Sequence, residues 1–111
     1  MDTHILVVDD NESVRQSTAE ILALAGYQVS QASGPDEVLD RLSGEHIDVV
    51  LLDLGVDRIG LRVLDEAMRL PIVILTSGID QEFSDPRVCA FVPKPFAPDL
   101  LMAVVARCLT T

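Results

Sequence analysis

Three segments of this chain, Ile5–Val8, Asp48–Leu52 beyond its first residue, and Ile72–Leu75, are runs of Ile, Val and Leu without polar alternation. No other feature narrows the fold as much. A strand with one face in water alternates apolar and polar residues, so an unbroken run needs cover on both faces. Two further runs, Gln28–Ala32 and Cys89–Val92, complete a set of five that recurs about every 20 residues. The run at Gln28–Ala32 alternates through Tyr27, Val29 and Gln31, the pattern of an edge strand.

Helical spacing fills the intervals. Val14, Thr18, Ile21, Leu22 and Ala25 fall on one helical face, and Gly26 supplies a stop. Ser33-Gly34-Pro35-Asp36 reads as a cap and first turn, with Val38, Leu39 and Leu42 as the apolar face. Leu61, Leu64, Glu66, Ala67 and Met68 predict a third, short helix that closes before Pro71. Pro98–Leu109 predicts the last helix, with Leu101, Val104, Val105 and Leu109 facing inward. The interval Ile79–Val88 has only Ile79 and Phe83 as large anchors before Val88, and it carries Pro86. It predicts a short or irregular fourth helix. Strands alternating with helices predict an α/β fold of (βα)5 type, a doubly wound five-stranded parallel sheet with right-handed crossovers. One domain over residues 1–111 accounts for the length, since a typical domain has about 150 residues.

Composition excludes several function classes. Hydrophobic residues make up 49% of the chain, too many for a disordered segment. Eighteen acidic residues against eight basic ones give a formal charge of −10. That balance argues against direct binding of nucleic acid or an anionic membrane, where each phosphate must meet a cation. It suits a cationic ligand such as a metal ion. No apolar run is long enough to span a membrane, and Met1-Asp2-Thr3-His4 does not open a signal peptide. Two cysteines, Cys89 and Cys108, are too few for a disulfide framework, and no Cys/His spacing suits zinc. The default expectation is a cytoplasmic, reduced compartment.

In open α/β sheets the functional crevice lies at the carboxyl ends of the strands. Asp9-Asp10-Asn11-Glu12 follow the first run, Asp53 the third, Thr76-Ser77-Gly78 the fourth, and Lys94 the fifth. Clustered carboxylates repel one another, and a hard divalent cation relieves that repulsion. A lysine opposite the metal would neutralise a phosphoryl group, and a hydroxyl could donate to it. Asp53 ends an apolar strand, so its carboxylate is positioned to attack phosphorus and carry an acyl phosphate. Each residue also has a plainer reading. Asp9-Asp10-Asn11 could cap the first helix, and Asp53 or Thr76-Ser77-Gly78 could be turn residues. Lys94 could be a solvated charge, yet it is the only lysine, against seven arginines, and prolines flank it.

Taken in order, the segments Ile5-Leu6-Val7-Val8-Asp9-Asp10-Asn11, Val49-Val50-Leu51-Leu52-Asp53, Ile72-Val73-Ile74-Leu75-Thr76-Ser77-Gly78 and Phe91-Val92-Pro93-Lys94-Pro95-Phe96 resemble the receiver domain of bacterial two-component response regulators. The resemblance covers essentially the whole chain and implies a flavodoxin-like strand order, 2-1-3-4-5. It implies that Asp53 is the phosphoacceptor, charged by a sensor histidine kinase or a histidine phosphotransfer protein. Asp9 and Asp10 would hold Mg²⁺ (or Mn²⁺), completed by Asp53 and the backbone carbonyl of Gly55. Thr76 would be the switch hydroxyl, Lys94 the partner of the phosphoryl group, and Phe91 the aromatic switch position. The output would be a downstream protein or a fused output domain, and the chain either a stand-alone receiver or part of a longer regulator or hybrid kinase. One departure stands out: Gly55-Val56-Asp57-Arg58-Ile59-Gly60 lacks the family's usual proline and is one residue short.

Two other readings use the same residues. Leu51-Leu52-Asp53-Leu54-Gly55-Val56 superficially resembles the nucleophile motif of haloacid-dehalogenase-type phosphohydrolases. That motif needs a second Asp two residues on, where Gly55 stands, and an acidic pair after the lysine, where only Asp99 follows. A non-phosphorylated docking module of the same fold is the third reading, and the intact acidic set argues against it.

Overall fold

The computed structural model describes residues 3–53, 73–77, 88–93 and 97–109. Its strands are β1 (His4–Val8), β2 (Gln28–Ala32), β3 (Val49–Asp53), β4 (Val73–Ser77) and β5 (Val88–Pro93). The described helices are α1 (Glu12–Leu24), α2 (Pro35–Gly44) and α3 (Pro98–Leu109). The third helix predicted near residues 61–68 lies outside the described residues. So does the short or irregular fourth helix, apart from Val88, which opens β5.

All four strand pairings are parallel, in the order β2-β1-β3-β4-β5. This is the predicted doubly wound order. β1 sits between β2 and β3, with Ile5 level with both Val29 and Val49. Its residues Ile5, Leu6, Val7 and Val8 are all buried, which is why the run shows no polar alternation. β2 is an edge strand, and only Ser30 and Ala32 of its five residues are buried.

Alternation along the strands divides the core between two faces. On one, Ile5, Val7, Val49, Leu51 and Val92 pack with Leu22 of α1 and Leu101, Val105 and Cys108 of α3. The other carries Leu6, Val8, Val50 and Leu52, also buried. Right-handed crossovers put α2 over that second face, and its Val38 is fully buried. Each such side chain contributes about 1.5–3 kcal/mol through burial.

Helix ends follow local chemistry. The α1 terminus is a Schellman motif: Tyr27 N–H donates to the Leu22 carbonyl and Gly26 N–H to the Ala23 carbonyl. Gly26 has φ +101°, a backbone conformation that favours glycine, so the predicted stop has a physical basis. At α2 the cap and first turn fall within the predicted Ser33–Asp36 segment, with Pro35 in the first turn. Gly34 occupies the N-cap without a side-chain bond, and Ser33 donates its hydroxyl to Glu37. That bond is the main cause holding the Glu37 carboxyl below its ordinary range.

At the amino-terminal ends of the strands a polar cluster closes the sheet. Buried Ser30 donates to Glu45 and touches His4 Nε2 at 2.7 Å, and His4 N–H donates to Asp48. The Ser30 hydroxyl, followed by Arg41, holds the Glu45 carboxyl below its ordinary range.

Cys89 of β5 and Cys108 of α3 form a disulfide. The expectation of a reduced compartment did not anticipate this bond. Its physical origin is packing: α3 returns over β5, bringing residues 19 apart in sequence to a Cα separation of 5.9 Å. Among the described residues, no helix is long and apolar enough to cross a membrane.

Candidate functional site

Strand register brings the predicted residues to one edge. Val8 is level with Leu52, so one residue further along, Asp9 and Asp53 are neighbours at the carboxyl ends of β1 and β3. Asp53 is in turn paired with Thr76 of β4. With strands about 4.8 Å apart, the three positions span roughly 10 Å. Ser77 pairs with Pro93, so β5 ends at this edge too. Lys94, next in the chain, lies outside the described residues, as does Gly55. Phe91 sits inside β5, paired with Leu75. For Asp53, Thr76 and Phe91 only the backbone is described.

The loop after β1 is held by several bonds. Asp9 is buried, 5% exposed, and its carboxylate accepts from Asn11 N–H at 2.9 Å. A buried carboxylate requires such donors. Asp9 N–H donates to the Ala32 carbonyl of β2. Arg15, not singled out by the sequence, donates through Nη1 to the Asp9 carbonyl and through Nε to Gln31. Its bond to Gln31 depends on β2 lying beside α1, which no local spacing encodes.

The helix-cap reading of Asp9-Asp10-Asn11 is resolved residue by residue. Asn11 is the N-cap of α1, its side-chain oxygen accepting from Val14 N–H at 3.1 Å. The two aspartates are therefore not needed as caps. Asp9 braces the loop, and Asp10 is exposed at the rim. Both lie beside the α1 N-terminus, where the helix dipole favours negative charge.

The carboxylates of buried Asp9 and exposed Asp10 are hard oxygen donors, and the backbone register puts Asp53 level with Asp9 on β3. Among the described side chains no group of three or more His, Cys, Asp or Glu residues could hold a metal ion. Asp9 and Asp10 are two such residues, and Asp53 is described by its backbone position alone, level with Asp9.

A doubly wound sheet with acidic residues at its central carboxyl edge belongs to the flavodoxin-like α/β class. The sequence pattern of the response regulator receiver domain matches residues 5–106, and the chain belongs to that family. It is 35% identical over 117 residues to the response regulator MprA of Mycolicibacterium vanbaalenii, covering 93% of this chain and 48% of that protein. The chain thus spans about half the length of that curated relative. A shorter match, 46% identical over 56 residues, joins 50% of this chain to 8% of the CAI-1 autoinducer sensor kinase/phosphatase CqsS of Vibrio cholerae. Among solved structures, a CheY-like receiver domain protein from Methanospirillum hungatei superposes with a TM-score of 0.84. It covers 99% of this chain and 95% of that one at 24% identity, a likeness of fold. The chain is a receiver domain of the two-component signalling type.

Proposed function

We propose that this receiver domain is a phosphoacceptor switch in which Asp53 takes a phosphoryl group from a phosphohistidine. The donor is a sensor histidine kinase or a histidine phosphotransfer protein. The observation that carries this reading is the register that sets Asp53 between Asp9 and Thr76 at the carboxyl ends of adjacent strands. In the transfer, an Asp53 carboxylate oxygen bonds to phosphorus, the P–N bond breaks, and the imidazole leaves. The product is an acyl phosphate.

Each neighbour has a task. Asp10, Asp53 and the Gly55 carbonyl would hold Mg²⁺ (or Mn²⁺), with Asp9 behind them, and the ion would offset charge on the phosphoryl oxygens. Asp9, tied to Asn11 and carrying Arg15 on its carbonyl, keeps the loop in position. Lys94 pairs with the phosphoryl group from β5, and Thr76 donates its hydroxyl to a phosphoryl oxygen. Phe91 follows Thr76 and changes the surface offered to a downstream protein or a fused output domain. Residues 1–111 act as one such domain, in the cytoplasm, without direct contact to nucleic acid or membrane.

The domain is labelled once and is not a turnover enzyme. Acetyl phosphate with Mg²⁺ should add one phosphoryl group per chain, EDTA should block the addition, and a generic phosphomonoester should not be hydrolysed. Sustained phosphomonoester turnover would favour the phosphohydrolase reading, and absence of any adduct would favour a docking module.

A further inference from the structure

The Cys89–Cys108 bond has no part in the phosphoacceptor chemistry. Three observations bear on it. Cys89 is an exposed residue, whereas Cys108 is 1% exposed within the core cluster of Val92, Leu101 and Val105. Next, Ala90 and Val92 pack on the α3 side of the sheet, so on a regular strand Cys89 would point to the opposite face. The register shifts here: Val73 pairs with Val88 and Ile74 with Ala90, leaving Cys89 without a partner across the ladder. Such a bulge redirects a side chain, and it brings Cys89 to Cys108. Their Cα separation of 5.9 Å is within the disulfide range. Finally, the loop closed by the bond, residues 89–108, contains both Phe91 and Lys94.

We propose that this pair is a reversible thiol–disulfide switch that clamps α3 to β5 and thereby sets how readily Asp53 is phosphorylated. The coupling to Asp53 rests on the phosphoacceptor reading; the clamp itself does not. Opening takes a dithiol reductant. One of its thiolates attacks Sγ of exposed Cys89, the S–S bond breaks, and the electron pair leaves on Cys108 Sγ, which takes up a proton. The second thiol of the reductant then attacks the mixed disulfide and releases Cys89. The protein gains two electrons and two protons, and the reductant becomes a disulfide. A low-molecular-weight disulfide drives the reverse exchange.

The opened domain stays folded. Reduced Cys108 is a small apolar group, and the packing of Leu101 and Val105 against Val92 remains. What is lost is the covalent closure of residues 89–108, the stretch of sequence that carries Lys94. Opening should lower the melting temperature by about 10 °C. It should slow labelling by acetyl phosphate about fivefold, since a chain that is not closed between β5 and α3 has more conformations to lose in presenting Lys94 to the phosphoryl group.

The test uses the full chain, oxidised and then treated with dithiothreitol. Alkylation should label no thiol before reduction and two after it. Melting curves and acetyl phosphate labelling rates are recorded for both forms and for Cys89→Ser. That exposed substitution should behave as the reduced protein does and be indifferent to dithiothreitol. Two alkylatable thiols that no low-molecular-weight disulfide converts to a bond would overturn the proposal. Equal melting temperatures in the two forms would do the same. A melting shift with equal labelling rates would make the bond a structural staple and refute its regulatory role. If neither form is labelled, the phosphoacceptor reading fails and the coupling goes with it, while thiol count and melting still judge the clamp.

Discussion

Asn11 separates what holds the site loop from what would bind its ligand. Its side-chain oxygen accepts from Val14 N–H at 3.1 Å, satisfying one of the free donors at the start of α1. Asn11→Ala removes that acceptor but keeps the backbone N–H that donates to Asp9. Loss of a cap costs about 1 kcal/mol. With a urea slope of about 2 kcal/mol/M, the midpoint should fall by roughly 0.5 M. In contrast, Asp10 is exposed, and no described residue bonds its side chain. Asp10→Asn should leave the metal-free urea midpoint unchanged or slightly raised, because it removes one of several close negative charges. It should weaken Mg²⁺ binding about tenfold or more, while Asn11→Ala changes that binding less than about twofold. Urea denaturation and calorimetric Mg²⁺ titration of the two variants give the four values. If Asn11→Ala loses Mg²⁺ affinity as severely as Asp10→Asn, the division between cap and ligand is wrong.

Two predictions concern the scaffold. A Cβ at Gly26 would meet nothing within 4 Å, so the cost of Gly26→Ala comes only from its φ of +101° and should be about 1 kcal/mol; an unchanged urea midpoint would contradict the Schellman assignment. Ser30→Ala should cost about 1–2 kcal/mol at neutral pH, as a buried hydroxyl bonded to Glu45 is lost. The folded Glu45 carboxyl lies below its ordinary value of 4.5, so its contribution is complete above that pH and fades as pH falls through the folded value. The gap between Ser30→Ala and the parent should therefore narrow at pH about 3, and an equal gap at both pH values would refute the linkage.

The strands were legible because burial on both faces forbids polar alternation. β1 and β3 match the predicted runs to within a residue at each end. The edge character of β2 showed in its alternation for the same reason. Gly26 was legible because only one residue type tolerates its backbone angle easily. Other features depend on elements far apart in sequence. Arg15 reaches Gln31 only once β2 lies beside α1, and no local spacing encodes that. The cap and first turn at Ser33–Asp36, by contrast, were legible, with Gly34 at the N-cap and Pro35 in the first turn. Cys108 was not named with Leu101 and Val105 on the inward face of α3, yet it stands seven and three residues on from them, on the same helical stripe, and is buried with them. For the site, strand-end reasoning anticipated that Asp9, Asp53 and Thr76 share an edge, since parallel strands all point their carboxyl ends one way.

The central claim is that Asp53, between Asp9 and Thr76, accepts the phosphoryl group. Intact mass spectrometry after acetyl phosphate and Mg²⁺ tests it most directly, on the parent chain and on Asp53→Ala. The account predicts one phosphoryl adduct on the parent and none on the variant. An adduct of equal yield on Asp53→Ala would contradict it, as would an unmodified parent.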